Sequence, residues 1–232
     1  MLQYIYGNER DIVSQEKDKA STSFSTLGLD AKILKALEQK GYTIATPIQS
    51  LLIPALLKGD DILAGAQTGT GKTAGYTLPI LHKLLASTTS DHYIRALIIV
   101  PTRELARQVD EAIQAYAMNL SLRSAVLYGG VNMRTQSKKL HGGVDLVVST
   151  PGRLLEHIHQ KSINLSALEY LVLDEADTVL DMGFMQEVSQ IINQVPQKRQ
   201  NIFISATLSG SVKRFADKVL TKPVLIEVDT LG

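Results

Sequence analysis

An acidic run directly after an apolar stretch is the part of this chain best suited to chemistry. Residues 174–177 read Asp-Glu-Ala-Asp and follow Tyr170 to Leu173, which has the composition of a buried strand. Parallel sheets bind ligands at the carboxyl ends of their strands, and carboxylates placed there can hold a magnesium ion and activate a water molecule. We therefore expect Asp174 to hold magnesium, largely through water, and Glu175 to orient and deprotonate the attacking water. The alternative interpretation is a solvated acidic helix cap, which suits Asp177 but suits Asp174 and Glu175 poorly.

A loop of glycines and threonines upstream could hold phosphate groups. Residues 66–73 read Ala-Gln-Thr-Gly-Thr-Gly-Lys-Thr and follow their own apolar strand. Glycines let backbone N–H groups turn inward around phosphate oxygens, the lysine supplies a cation for the β and γ phosphates, and the last threonine offers a hydroxyl to magnesium. The run departs from the strict phosphate-loop pattern at its first position, where Ala replaces Gly. The residues expected to bind ATP here are Ala66, Gln67, Thr68, Gly69, Thr70, Gly71, Lys72 and Thr73.

An incidental loop with a chance lysine is the alternative interpretation of this run. The preceding strand, the helix expected after the loop and the acidic strand end downstream favour the phosphate site, since a helix N-terminus attracts anions. The sequence therefore predicts ATP and Mg²⁺ as cofactors, with Thr73 and Asp174 near the metal. The expected catalytic residues are Lys72, Asp174 and Glu175.

Strands and helices alternate along most of the chain, and this alternation must position the two runs. Helical spacing or capping signals mark residues 31–40, 47–57, 72–85 and 104–118. Apolar runs that predict strands fall at residues 61–65, 96–100, 123–128, 145–149, 170–173, 201–205 and 224–228. Such alternation predicts an α/β fold, a mostly parallel sheet with helices on both faces. We expect residues 23–232 to form one domain and residues 1–22, which are polar and aperiodic, to be a flexible and partly helical leader.

Composition limits the partners and the compartment. The formal net charge is +1, so any contact with nucleic acid must come from local geometry and a few placed cations. The absence of cysteine excludes disulfides and thiolate metal sites and fits a reducing compartment. No apolar run approaches the roughly 18 residues of a membrane span, and Met1 to Arg10 lacks a signal-peptide pattern. We expect a cytoplasmic monomer with no membrane contact.

The histidines do not form a metal site in this interpretation. His157 and His159 are two positions apart on an expected helix, so they face different directions, whereas a helical metal pair needs a spacing of three or four. Both are interpreted as surface histidines. His82, His92 and His141 have no companions and are given no role.

Further runs, together with the two above, are similar in order and spacing to the motifs of the first RecA-like domain of DEAD-box RNA helicases, a branch of superfamily 2. They are residues 41–49 with Phe24 upstream, residues 101–107, the glycine pair 129–130, residues 150–153 and residues 205–207. The resemblance extends from Phe24 to about Val228 and looks like that of a bacterial member. It implies a RecA-like phosphate-loop fold.

The first of these runs resembles the family's Q motif, which binds adenine. The resemblance implies that Gln49 hydrogen-bonds the adenine edge, that Tyr42 packs against the base and that Thr46 helps to hold the phosphate loop. Phe24 belongs to the same motif. An amide can pair with both the donor and the acceptor of adenine, which guanine would mismatch.

The resemblance implies that three other runs grip the sugar-phosphate backbone of a single RNA strand. Backbone amides, hydroxyls and a few arginines can bind phosphates without reading sequence. Taken alone, each run could equally be an ordinary helix start after a strand; together, beside an ATP site, they favour RNA. The residues concerned are Pro101, Thr102, Arg103, Gly129, Gly130, Thr150, Pro151, Gly152 and Arg153. Ser205 and Thr207 are expected to reach Asp177 and so to couple hydrolysis to RNA binding.

The resemblance predicts the N-terminal lobe of an ATP-dependent RNA helicase, an ATP hydrolase that separates RNA strands locally. The family also needs a second RecA-like domain that carries arginine fingers. No part of the sequence after Ser209 resembles that second domain. Because an arginine finger contributes about 10³ to 10⁵ in turnover, this chain alone is expected to bind nucleotide weakly and hydrolyse it poorly. A non-catalytic RNA clamp and a DNA-directed helicase of the same superfamily remain as alternatives.

Overall fold

The computed structural model describes residues 12–14, 21–87 and 93–228. Eight strands in these ranges form one sheet, and every neighbouring pair of strands is parallel. In chain order the strands are β1 Ile12–Ser14, β2 Ile62–Ala66, β3 Ala96–Ile99, β4 Ser124–Leu127, β5 Leu146–Ser149, β6 Tyr170–Leu173, β7 Gln200–Ser205 and β8 Val224–Val228. Across the sheet their order is β1-β8-β2-β7-β6-β3-β5-β4.

Helices connect successive strands. They are α1 Ala31–Gln39, α2 Pro47–Lys58, α3 Lys72–Ala86, α4 Arg103–Tyr116, α5 Met133–His141, α6 Pro151–His159, α7 Ala176–Asp181, α8 Met185–Ile192 and α9 Gly210–Val219. None of these helices has both the length and the apolar character needed to cross a membrane.

Each central strand is apolar on both faces because helices cover both sides of the sheet. Ile62 and Ala64 enter one core, whereas Leu63 between them enters the other. Helices α1 to α4 pack into the first core, and α5 to α9 pack into the second. The prediction of an α/β fold with helices on both faces of a parallel sheet is confirmed.

The boundaries that were predicted for strands β2 to β8 and helices α1 to α4 agree with the structure to within two residues. Strand β1, Ile12–Ser14, was not predicted from the sequence; it lies within the expected leader and pairs with β8 through Ile12 and Leu225. The edge of a sheet carries unpaired backbone groups, and an added strand satisfies them. Residues 1–11 and 15–20 lie outside the described residues, so the division into leader and domain stays a prediction.

Close packing of α2 on α3 depends on a glycine. A Cβ atom on Gly75 would lie 2.8 Å from Cδ1 of Leu52, which is nearer than carbon atoms pack. The absent side chain therefore lets the start of α2 lie beside the loop that precedes α3. This places residues 46–49 next to residues 66–73.

A buried ion pair stabilises the side of the sheet at which the strands begin, opposite their carboxyl ends. Nη2 of Arg95 lies 2.9 Å from Oδ1 of Asp145, and both side chains are almost inaccessible. Nη1 of Arg95 also donates to the carbonyl oxygen of Leu84, at the end of α3. The other carboxylate oxygen of Asp145 accepts from the backbone N–H of Arg123. This carboxylate therefore connects the segments before β3, β4 and β5 with α3.

Asp145→Ala should lower the free energy of unfolding by about 3–5 kcal/mol, because it leaves the Arg95 guanidinium buried without its anion. The measurement is urea unfolding followed by circular dichroism. Glu111→Ala is the control, since Glu111 pairs with Arg107 at 3.8 Å on an exposed helix face and such pairs contribute about 0–1 kcal/mol. Equal effects of the two substitutions would contradict this account.

Candidate functional site

Six loops that the sequence singled out meet at the carboxyl edge of the sheet. Residues 66–73, 205–207 and 174–177 follow β2, β7 and β6, which are consecutive in the sheet. Residues 101–103, 150–153 and 129–130 follow β3, β5 and β4, which continue the same order. The edge therefore has two adjoining parts, one with the phosphate loop and the carboxylates and one with the three runs expected to bind RNA.

The phosphate loop connects β2 to α3 and turns on two glycines. Gly69 and Gly71 have φ angles of 79° and 89°, in the left-handed region that glycine adopts at little cost. Helix α3 begins at Lys72, whose Nζ donates to the carbonyl oxygen of Ala66 at 2.7 Å across the loop. The loop thus combines an ammonium group with the N–H groups at a helix start, an arrangement suited to phosphate oxygens.

Residues at the start of α2 support this loop from the side. Oγ1 of Thr46 donates to the carbonyl oxygen of Thr70 at 2.8 Å, and Nε2 of Gln49 donates to that of Gly71 at 3.0 Å. Oε1 of Gln49 accepts from the backbone N–H of Thr46 at 2.9 Å. A Cβ atom on Gly71 would clash with the Gln49 amide. Gln49 is only 6% exposed, and its amide retains one donor hydrogen and one lone pair for a base.

The two aromatic residues expected at the adenine site differ in exposure. Tyr42 is 52% exposed beside this segment, so its ring is accessible to a planar ligand. Phe24 is buried in the first core, and its backbone N–H donates to the carbonyl oxygen of Thr43 at 3.1 Å. Phe24 therefore stabilises this segment from the core side, and its ring is not accessible to a ligand.

Asp174 is buried at the end of β6 and held by two donors. Oδ1 accepts from the backbone N–H of Glu175, and Oδ2 accepts from the hydroxyl of Tyr76, both at 2.8 Å. Burial raises the pKa of Asp174, while the Tyr76 hydrogen bond and the charge of Lys72 oppose that rise. Burial, followed by the charge of Asp174, raises the pKa of the Tyr76 phenol well above its usual value. The phenol therefore stays protonated and acts as the donor.

Glu175 has an unusual backbone conformation. Its φ and ψ angles are 49° and 52°, a left-handed conformation that non-glycine residues adopt at a cost and that concentrates at functional sites. Burial, and then the charge of Asp174, raises the pKa of the Glu175 carboxyl. A raised pKa suits a general base, because it brings the group nearer to the working pH.

The oxygen donors at this edge fit a magnesium ion that arrives with phosphate groups. Thr73, in the first turn of α3, and Asp174 are the candidate donors. In residues 21–87 and 93–228, no three His, Cys, Asp or Glu side chains group closely enough to form a metal cage. Magnesium characteristically keeps several waters and binds one or two carboxylates together with substrate phosphates. This donor set therefore fits the ion.

Asp177 links the acidic run to the loop after β7. Its Oδ2 accepts from the backbone N–H of Thr207 at 2.8 Å and from the Thr207 hydroxyl at 2.9 Å. Its backbone N–H donates to Oγ of Ser205 at 3.2 Å. Burial alone would raise the pKa of Asp177, but these hydrogen bonds lower it overall. The expected reach of Ser205 and Thr207 to Asp177 is confirmed.

The second part of the edge presents two helix starts and one accessible arginine. Thr102 caps α4 by accepting from the backbone N–H of Leu105, and Thr150 precedes α6, which begins at Pro151. Arg103 is exposed and makes no hydrogen bond or ion pair with another described residue. Its guanidinium lies over Gly130, where a Cβ atom would clash with it. The φ angle of Gly130 is 84°, in the left-handed region that glycine adopts at little cost, and this explains the glycine there.

Arg153 points into the protein, unlike Arg103. Its Nη1 donates to the carbonyl oxygen of Val131 at 2.9 Å and to Oε1 of Gln136 at 3.1 Å, and its side chain is 9% exposed. Nε2 of Gln136 donates in turn to the carbonyl oxygen of Tyr128. Arg153 thus ties the start of α6 to the glycine-pair loop.

His157 was wrongly interpreted as a surface residue, whereas His159 is exposed as expected. The His157 ring is completely buried, with Nε2 3.0 Å from Oε1 of Gln136 and Nδ1 2.7 Å from Oγ of Ser162. Its position three residues after Leu154 places it on the inward face of α6. Burial, and then the charge of Arg153, lowers its pKa.

Comparison with known proteins identifies this arrangement. The family model for the DEAD/DEAH box helicase matches residues 46–215, which hold all six loops. The chain belongs to the DEAD/DEAH box helicase family. Within this family, a DEAD box protein from the hyperthermophile Methanococcus jannaschii has a crystal structure that matches with a TM-score of 0.84 and 36% identity. The match covers 89% of this chain and 56% of that one.

Relatives in the DEAD/DEAH box family are both bacterial and eukaryotic. The chain is 42% identical over 207 residues to the ATP-dependent RNA helicase CshA of Listeria monocytogenes, covering 89% of this chain and 39% of that protein. It is also 42% identical to the probable ATP-dependent RNA helicase ddx27 of Dictyostelium discoideum, covering 90% of this chain and 27% of that protein. The chain therefore spans less than half the length of these relatives.

Two residues at the site, Tyr76 and Gln136, were missed from the sequence. Tyr76 lies in an apolar helix and looks like an ordinary core residue, although its spacing of three from Thr73 could have placed it on the same helix face. Gln136 lies inside α5, where most residues are polar, so one more polar side chain gives no signal. Its partners Tyr128 and His157 are 8 and 21 positions away, so only the folded chain brings them together.

Folding stability should fall as the pH drops below about 7, in part through His157, whose pKa is lowered in the folded state. Because the folded-state pKa of His157 is lowered, the unfolded chain, with a pKa near 6.5, takes up the proton first. This stability is present above about pH 6.5 and is lost as the pH falls towards the folded pKa. Urea unfolding at several pH values should show a smaller slope for His157→Gln than for wild type. His159→Gln is the exposed control, and an unchanged slope in His157→Gln would refute the assignment.

Proposed function

We propose that this chain is the ATP- and RNA-binding lobe of an ATP-dependent RNA helicase that remodels RNA duplexes. One observation carries the proposal: the phosphate loop, the Asp174–Glu175 pair and the Thr207 segment lie at the ends of three adjoining strands, β2, β6 and β7. Positioned charge beside a phosphate loop is what phosphoryl transfer requires of a protein. The similar proteins named as ATP-dependent RNA helicases support the same function.

The nucleotide is proposed to lie along α2 and the start of α3. Gln49 would use its remaining donor and lone pair on the adenine edge, beside the exposed ring of Tyr42. Lys72 and the N–H groups of the loop would bind the phosphates. Asp174 and Thr73 would hold magnesium, which neutralises charge that develops on the phosphates. Glu175 would take the proton from the attacking water.

RNA is proposed to lie across the loops after β3, β5 and β4. Arg103 would pair with a phosphate, and the starts of α4 and α6 would supply backbone N–H groups. Arg153 points inward, so we propose that it positions the RNA site and does not bind RNA directly. It holds Val131 and thereby the glycine-pair loop. Contacts of this kind bind the backbone and leave the RNA sequence unread.

Hydrolysis and RNA binding are proposed to be coupled through Asp177, Ser205 and Thr207. These residues join the loops after β6 and β7 by short hydrogen bonds, and β6 adjoins β3, which carries Arg103 at its end. We propose that strand separation needs parts of the protein beyond the 39% of CshA that this chain matches. We further propose a cytoplasmic monomer, in keeping with the absence of cysteine.

Arg103→Ala should weaken the binding of single-stranded RNA and reduce its salt dependence. Loss of one phosphate contact lowers the slope of log affinity against log salt by about 0.7 for a single strand. Fluorescence anisotropy with a labelled oligonucleotide at several salt concentrations measures both quantities. Arg123→Ala is the control because Arg123 lies before β4, at the opposite edge of the sheet. A full wild-type salt slope in Arg103→Ala would remove Arg103 from the RNA site.

The 232-residue chain should bind ADP but hydrolyse ATP at a rate close to background, with or without RNA. An arginine finger contributes about 10³ to 10⁵ in turnover, and we propose that it belongs to a second domain outside the part of the relatives that this chain matches. Lys72→Ala should abolish ADP binding. In a chain extended to the length of its relatives, Glu175→Gln should abolish hydrolysis, whereas a non-catalytic clamp would be unaffected. A phosphate-release assay measures turnover. RNA-stimulated ATP hydrolysis by the 232-residue chain would contradict the proposal that hydrolysis needs a second domain.

A further inference from the structure

Tyr76 places a hydroxyl inside an otherwise apolar core, directly behind the acidic run. Its ring is completely buried among residues of the first core. Its hydroxyl donates to Oδ2 of Asp174 at 2.8 Å, across 98 positions of sequence. A phenylalanine would fill the same space without a polar group to satisfy, so packing alone does not account for the hydroxyl.

The Tyr76 hydroxyl completes a two-point support for the Asp174 carboxylate. The backbone N–H of Glu175 holds Oδ1, and Tyr76 holds Oδ2. These donors come from separate elements, the loop after β6 and the helix α3. Rotation of the carboxylate would break at least one bond in a buried site, where an unmet hydrogen bond is costly. Each oxygen still has a lone pair for another ligand.

Helix α3 connects this support to the phosphate loop. Thr73 and Tyr76 are three residues apart, so they lie on the same face of the helix, one turn from each other. The helix that begins with the phosphate-binding residues therefore also carries the donor that orients Asp174. The relative position of the two candidate magnesium donors is fixed through one rigid element.

We propose that Tyr76 is a positioning residue for the magnesium site: its hydroxyl holds the Asp174 carboxylate so that the remaining lone pairs face the ion bound with the nucleotide phosphates. The inference rests on the proposed function and adds a residue outside every motif found in the sequence. Tyr76 touches neither nucleotide nor metal and acts through Asp174.

The test is Tyr76→Phe in the 232-residue chain, which removes one oxygen atom and keeps the ring. Binding of a fluorescent ADP analogue is measured while Mg²⁺ is titrated, and again with a chelator present. The Mg²⁺ concentration for half of the magnesium effect should rise about tenfold or more, the usual consequence of losing a partner of a metal ligand. Affinity in the chelator should change by less than about twofold, because a metal-free complex does not use Asp174 as a ligand.

Two further variants distinguish positioning from general loosening of the core. Tyr116→Phe removes a hydroxyl from another tyrosine of the same core and should leave the Mg²⁺ requirement unchanged. In an Asp174→Asn background, Tyr76→Phe should cause no additional rise, because both changes act on one interaction. A Mg²⁺ requirement unchanged in Tyr76→Phe, or an equal rise with Tyr116→Phe, would overturn the proposal.

A measurement on the unmodified chain covers the case in which Tyr76→Phe is too unstable to study. The hydroxyl proton of Tyr76, buried and bonded to a carboxylate, should give a protected NMR resonance. That resonance should shift when Mg²⁺ and ADP are added together, and much less with ADP and chelator. Equal shifts in both cases would overturn the inference. Failure of the wild-type chain to bind ADP at all would instead overturn the proposed function, and the inference with it.

Discussion

Parallel backbone pairing is the constraint on which the rest of this structure depends. The registers of β2 with β7 and of β7 with β6 match Gly65 with Ser205 and Leu173 with Phe203. Because every strand runs in the same direction, each carboxyl end lies at one edge, and each loop there must be followed by a helix that returns across the sheet. The phosphate loop, the acidic run and the Thr207 segment are close in space because hydrogen bonds between strands fix them there.

Side-chain hydrogen bonds then turn this shared edge into a defined site. Gln49 connects α2 to the phosphate loop, Tyr76 connects α3 to β6, and Asp177 connects the acidic run to the loop after β7. Each bond joins two elements that the sheet only brings near to one another. The Tyr76 bond is buried and the Gln49 bond is half-buried, and hydrogen bonds in such settings are stronger than in water and costly to break. These bonds therefore link the elements that carry the site proposed to bind nucleotide.

The face proposed to bind RNA is built by a different principle. The chain has a formal net charge of +1, so its attraction for a polyanion must be local. Two helix starts and the exposed Arg103 supply it, while the second arginine, Arg153, turns inward to Gln136 and fixes the loop beside it. Buried polar residues behind the surface, such as His157, thus hold the shape that the few outward groups need.

The sequence by itself determined the elements, their order and the loops that carry chemistry, because these depend on local patterns. Apolar runs predict strands that are buried on both faces. The residue types and spacing of residues 66–73 and 174–177 indicate a phosphate site and a magnesium site. Only the tertiary structure decided the partners: the Tyr76 bond to Asp174, the burial of His157, the inward direction of Arg153 and the added strand β1. Each of these features brings together groups that are distant in sequence. Neither group carries a local signal of the other. Such contacts follow from packing two helical layers on a sheet, which the amino-acid pattern of a single segment does not encode.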